Sequence, residues 1–203
     1  MRRSAVLLTV IFLILAGGIA SAQQTDVSVS GIGVYTDTVT GKGVQETATK
    51  SGGVLVSFRH FPYHHNGVEV NYSYTKNTQR YSDLSGSQLA DVQSSIHEVT
   101  GAYVFHVTRG AVQPFALAGA GLLIFSPTSH ALDTADPSIT SQKRPAFLYG
   151  AGLDVRLNRG LAVRAQYRGL IYKAPNFFGN AVALHTSSAM HMAEPSVGLV
   201  YRF

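Results

Sequence analysis

The chain has 203 residues, with 16 Lys and Arg against 11 Asp and Glu, a formal net charge of +5 at pH 7, and neither cysteine nor tryptophan. So modest an excess of positive charge argues against nucleic acid as a partner. The lack of thiols excludes disulfides, lipoprotein acylation and cysteine chemistry together.

Arg2 and Arg3 precede an apolar run from Ala5 to Ala16, and Ala20-Ser21-Ala22 supplies the small residues of a cleavage site. The run is too short for the roughly 20 residues of a spanning helix. Residues 1–22 therefore read as a cleavable signal peptide, cut after Ala22, with residues 23–203 as one exported domain. The charge without Arg2 and Arg3 is about +3. No later stretch has the length and apolarity of a transmembrane helix, so any membrane span must be β.

Eight segments of strand character follow, near residues 26–36, 50–59, 67–75, 95–107, 113–125, 144–157, 160–173 and 189–203. Several meet the roughly 9 to 11 residues that a tilted strand needs to cross a bilayer. Connections 38–49, 76–94, 126–143 and 174–188 are long and polar, whereas 108–112 and 158–159 are short and 60–66 is intermediate. Transmembrane barrels alternate in this way, with short periplasmic turns and longer outer loops.

Period-2 alternation is clearest in the third, sixth and seventh segments. Val68, Val70, Tyr72 and Tyr74 oppose Glu69, Asn71 and Ser73, and Leu161, Val163, Ala165 and Tyr167 oppose Arg164, Gln166 and Arg168. An arginine in lipid at the bilayer midplane costs about 2 to 4 kcal/mol. The charged parity is therefore expected inside, which places Glu69, Glu98, Asp154 and Glu194 in the lumen with Arg59, Arg156, Arg164, Arg168 and Arg202. The fifth segment, PFALAGAGLLIF, is apolar or small on both faces and leaves its register open. The final segment alternates Val197, Leu199, Tyr201 and Phe203 with smaller or polar residues and stops on the aromatic. A soluble lipocalin-type barrel is the structural rival, and it would carry its apolar parity inside and its charges outside.

The layout, the GVEVNYSY and PFALAGAGLLIF segments and the aromatic terminus resemble the small eight-stranded outer-membrane barrels of the OmpA transmembrane-domain and opacity-protein type. The resemblance implies an all-β, eight-stranded antiparallel transmembrane barrel in the bacterial outer membrane. It also implies that Val197, Leu199, Tyr201 and Phe203 form the signal read by the barrel-assembly machinery. That family ranges over membrane tethers, adhesins, host-factor binders and proteins of unknown role, and no peptidoglycan-binding domain like that of larger OmpA proteins is expected.

Eight strands enclose an interior just wide enough for side chains. Charges inside are expected to pair, as a structural filling or as a narrow gated ion path. Two aromatic girdles are expected, Phe58, Phe61, Tyr63, Phe115, Tyr201 and Phe203 near the periplasmic rim and Tyr35, Tyr74, Phe125, Phe147 and Tyr172 near the outer one. His60, His64 and His65 cluster in the first turn without the further ligands of a zinc site, and read as a polar turn. His185, Ser187 and Glu194 repeat the residue order of the lipid A deacylases, but the spacing is short and Ser188 stands where that family has Asn. Neither enzyme chemistry nor a cofactor or metal is expected. The expected role is structural or surface-interacting through the outer loops, in a monomer surrounded by membrane lipid and lipopolysaccharide, with a narrow channel as the alternative.

Overall fold

Strand-forming runs divided by three short turns pair with their neighbours in sequence, and the last returns to the first. The computed structural model describes residues 24–37, 39–41, 44–48, 50–83, 88–108, 110–131, 141–173 and 189–203. The expected signal peptide with Ala20 and Ala22, and the stretch with His185 and Ser187, lie outside the described residues.

The described residues form ten strands: β1 (Gln24–Thr36), β2 (Val39–Gly41), β3 (Val44–Ala48), β4 (Ser51–Phe61), β5 (Asn66–Asp83), β6 (Gln88–His106), β7 (Val112–Ala131), β8 (Gln142–Arg156), β9 (Leu161–Lys173) and β10 (Ala189–Arg202). Eight of them close an antiparallel ring in the order β1-β4-β5-β6-β7-β8-β9-β10, with β10 paired back onto β1. Closure leaves no free edge in the wall, which the hydrocarbon core demands because nothing there can satisfy an unpaired backbone group. At the periplasmic end the seam is locked by reciprocal bonds between Thr25 and Phe203, at 3.3 and 3.0 Å. Further up, the β1–β10 ladder skips from Ile32↔Ser196 to Tyr35↔Ala193. Pro195 lies in that gap and has no N–H to give.

The wall's two faces settle the choice between barrel types. Val29, Val68, Val70, Val99, Leu153, Tyr167, Val197 and Leu199 face outward and are exposed, while Arg59, Glu69, Asp154, Arg164 and Arg168 are buried inside. A soluble barrel requires the reverse. An apolar belt of this extent suits lipid and would be untenable in water.

The structure corrects three expectations. First, β5, β6 and β7 run to 18, 19 and 20 residues, through sequence expected to be loop. Above the last β4 pairing at Gly53↔Thr75, β5 exchanges partners, and β3 takes over from Val44↔Asp83 to Ala48↔Gln79. The alternation in the sequence ends there, yet backbone pairing continues. Second, β7 resolves its register by turning Gln113, Phe115, Leu117, Leu123 and Phe125 inward. Third, Phe61, Phe115, Phe125 and Tyr172 are buried in the lumen rather than in the girdles. Tyr35, Phe147, Tyr201 and Phe203 do face outward.

On the outer wall the Tyr149 ring crosses β9 over Gly169, and its hydroxyl meets His191 Nε2 on β10 at 2.8 Å. A Cβ at Gly169 would fall 2.5 Å from Tyr149 Cζ. Gly169→Val is expected to expel the ring and lower stability by about 1–3 kcal/mol. Gly31→Ala, where an added Cβ has open space, is expected to stay within about 0.5 kcal/mol. Urea unfolding midpoints in lipid vesicles, compared for the two variants, provide the check.

Candidate functional site

The interior has two storeys. In the periplasmic half, cross-strand register sets charges of alternating sign side by side: Glu69↔Arg59, Arg59↔Asp26 and Asp26↔Arg202 run from β5 through β4 and β1 to β10. Asp154↔Arg164 and Arg168↔Glu194 are paired in the same way on β8, β9 and β10. Neighbours directly across a ladder lie close enough for their side chains to interact, so register alone brings these ion pairs together.

Arg164 is the hub. Its Nε donates to Asp154 Oδ1 at 2.7 Å and its Nη2 to Asp154 Oδ2 at 2.9 Å, a two-pronged arrangement. The same guanidinium reaches Asp26 Oδ1 at 3.2 Å and Ser28 Oγ at 3.2 Å. Arg202 Nη2 donates to Asp154 Oδ2 at 2.9 Å. Arg59 pairs with Glu69, donates to Gln166 Oε1 at 3.3 Å, and lies 4.0 Å over the Phe115 ring. His106 closes the floor, stacked on Phe61 with ring centroids 4.7 Å apart and with Nε2 3.7 Å from Asp154 Oδ2. Higher up, Arg168 binds Glu98 and reaches Glu194 Oε2 at 3.1 Å. Ser73 and Thr100 donate to Glu98 at 2.9 and 3.0 Å.

Above this layer the lumen turns apolar. Ile32, Val34, Leu55, Ile96, Leu123, Phe125, Leu148, Leu170, Met190 and Met192 are buried together, with Tyr172 5.8 Å from Phe125. The outer half is a hydrophobic stopper.

Of the residues expected in the lumen, Arg59, Glu69, Glu98, Asp154, Arg164, Arg168, Glu194 and Arg202 gather there. Arg156 does not. It has the right parity but is the last residue of β8, so its side chain leaves the barrel at the periplasmic mouth and is exposed. Asp26 and His106 were missed. Asp26 could have been found, since it shares parity with Ser28 and Ser30 on a strand whose opposite face is apolar. His106 shares the parity of Glu98 on its strand, so its inward direction was legible too, but its packing between Phe61 and Phe115 depends on other strands.

Val197, Leu199, Tyr201 and Phe203 form an exposed outward row on β10. His65, in the first turn, has Nδ1 2.8 Å from the carbonyl oxygen of His106, whereas His60 lies on β4 rather than in the turn, with Nδ1 3.0 Å from Thr25 Oγ1. Among the described residues no three His, Asp or Glu side chains are grouped to hold a metal ion.

An antiparallel ring with an apolar exterior and charged interior defines a transmembrane β-barrel. The chain belongs to the outer membrane protein beta-barrel domain family, whose model matches residues 8–203. It is thus a protein of the bacterial outer membrane. No curated protein sequence matches it. Its fold is similar to that of OprG from Pseudomonas aeruginosa, with a TM-score of 0.62 and 15% identity over 90% of this chain and 96% of that one. Neisserial surface protein A gives 0.59 and 14% over 88% and 97%. The attachment invasion locus protein Ail of Yersinia pestis, solved with the heparin analogue sucrose octasulfate, gives 0.55 and 16% over 89% and 99%.

Removing Arg164 would leave the buried Asp26 without its guanidinium donor and Asp154 with Arg202 in place of two arginines. Arg164→Ala is expected to cost about 3–5 kcal/mol, while Arg156→Ala, at the exposed rim, is expected to change stability by less than about 0.5 kcal/mol. Urea titration with the gel shift of folded barrels as readout distinguishes them.

Proposed function

We propose that the barrel is a surface-interaction protein, in which a filled membrane anchor holds a β-sheet platform outside the cell. The observation that carries this reading is the asymmetry of the wall. β5, β6 and β7 continue past the bilayer on one side, and the β2–β3 hairpin extends the same sheet, so the outer surface is an ordered platform. Catalysis has no part in this reading. The charged layer and the hydrophobic stopper support a barrel that does not conduct.

Where the platform leaves the wall, Lys50, Lys76, Ser51, Asn77 and Ser94 line a notch of about 150 Å³. Ser51 Oγ, Asn77 Oδ1 and Ser94 Oγ are buried there without hydrogen-bond partners, and Lys50 lies 5.6 Å from the Tyr35 ring centroid. Two lysines over unsatisfied polar atoms suit a sulfated or phosphorylated sugar, the class to which the heparin analogue bound by Ail belongs. In the same reading residues 1–22 are removed after Ala22. Val197, Leu199, Tyr201 and Phe203 present the assembly signal, and the protein is a monomer within lipid and lipopolysaccharide.

Cells displaying the protein are expected to bind heparin more than cells without it, and binding should fall as salt rises. Lys50→Gln and Lys76→Gln should each weaken it by about two- to fivefold. Equal binding by displaying and non-displaying cells overturns the proposal. In planar bilayers the refolded barrel is expected to be electrically silent, and discrete conductance steps would replace the filled anchor with a channel.

A further inference from the structure

At the periplasmic mouth the charges do not balance. Inside the lower lumen, Asp26, Glu69 and Asp154 face Arg59, Arg164 and Arg202. Arg156, from the end of β8, and Arg159, from the turn after it, add two further guanidinium groups. These two line one notch of about 350 Å³ with Arg202, Gln24 and Phe203, and no carboxylate side chain lines it.

Arg202 ties the notch to the lumen. Its Nη2 is held by Asp154 at 2.9 Å, while its Nε and Nη1 are buried without a hydrogen-bond partner. Asp154 also accepts two hydrogen bonds from Arg164, one at each oxygen. Arg202 thus lines the notch while two donors of its buried guanidinium stay unmatched, and each unmatched donor carries a desolvation penalty. The turn that carries Arg159 is braced. The Asn158 side-chain oxygen accepts from the N–H groups of Gly160 and Leu161, each at 2.9 Å.

Depth identifies the anion. Phe203 lines the notch and is exposed, as are Leu157, Leu161 and Tyr201 at the same end of β8, β9 and β10, marking the level where the apolar belt meets the headgroups of the periplasmic leaflet. A phosphate there would find planar guanidinium forks above and beside it, the geometry that arginine matches best. We propose that Arg156, Arg159 and Arg202 form a phosphate-binding site at the periplasmic rim, filled in the membrane by the headgroup of an anionic phospholipid.

The test uses refolded protein in phosphatidylcholine nanodiscs containing a minor share of phosphatidylglycerol. Native mass spectrometry of the released barrel should show phosphatidylglycerol retained above its share in the disc, by about fivefold for each contributing arginine. Arg159→Gln, in the solvent-facing turn, and Arg156→Gln/Arg159→Gln should each reduce the enrichment, the double variant more. Retention at the bulk ratio by the wild type overturns the lipid assignment, and enrichment unchanged in the variants overturns the assignment to these residues. A second arm titrates inorganic phosphate into phosphatidylcholine-only discs and follows the arginine Nε resonances. Saturable shifts without phosphatidylglycerol enrichment would make the ligand a soluble phosphate and overturn the lipid source, and silence in both arms overturns the site altogether.

Discussion

The interior of an eight-stranded ring is just wide enough for side chains to fill, so a charge enclosed there needs a partner of opposite sign at close range. Much of this protein follows from that constraint. Asp154 accepts from Arg164 through both oxygens and from Arg202 as well, and Arg59 leans on Glu69 and on the face of Phe115. Because the partners sit across adjacent strands, a slip of one residue in register would turn the charges toward lipid and the valines inward. The ion pairs thus favour one register of the barrel against its alternatives, whatever their net contribution to stability.

The interior is divided, and the division carries the functional reading. Charges fill the periplasmic half and aliphatic and aromatic side chains fill the outer half, so access from outside ends at Phe125, Leu148, Leu170 and Met192. The polar surface available to a partner is then the rim and whatever rises from it. On the outer side that is the extended sheet of β3, β5, β6 and β7, and on the periplasmic side it is a short rim dominated by arginine. The two ends thus offer different chemistry, a broad ordered platform above and a small cationic notch below.

Much of the wall was legible because lipid enforces a strict rule. Where one face of a strand must be apolar and the other must not be, residues such as Val68, Glu69, Val70 and Asn71 reveal inside and outside directly. Legibility failed wherever that rule lapsed. Above the bilayer β5 and β6 lose their alternation while keeping their pairing, and in β7 alanine and glycine suit either face. Arg156 shows a third kind of failure, since parity assigns a direction but not a height, and at the last residue of a strand the inward direction opens into solvent.

Alternation, charge sign and the spacing of turns determined by themselves the eight membrane-spanning segments, the outward apolar row through Val197, Leu199, Tyr201 and Phe203, and the inward direction of the lumen charges, because each is a local consequence of placing a strand between lipid and a narrow interior. Only the tertiary structure decided which charges meet, that Phe61 and Phe115 flank His106, that the outer half of the lumen is apolar, and that Arg156 joins Arg159 and Arg202 at the rim. These depend on strand stagger and on the height at which residues from distant segments converge, and the pattern within one segment holds no information about either.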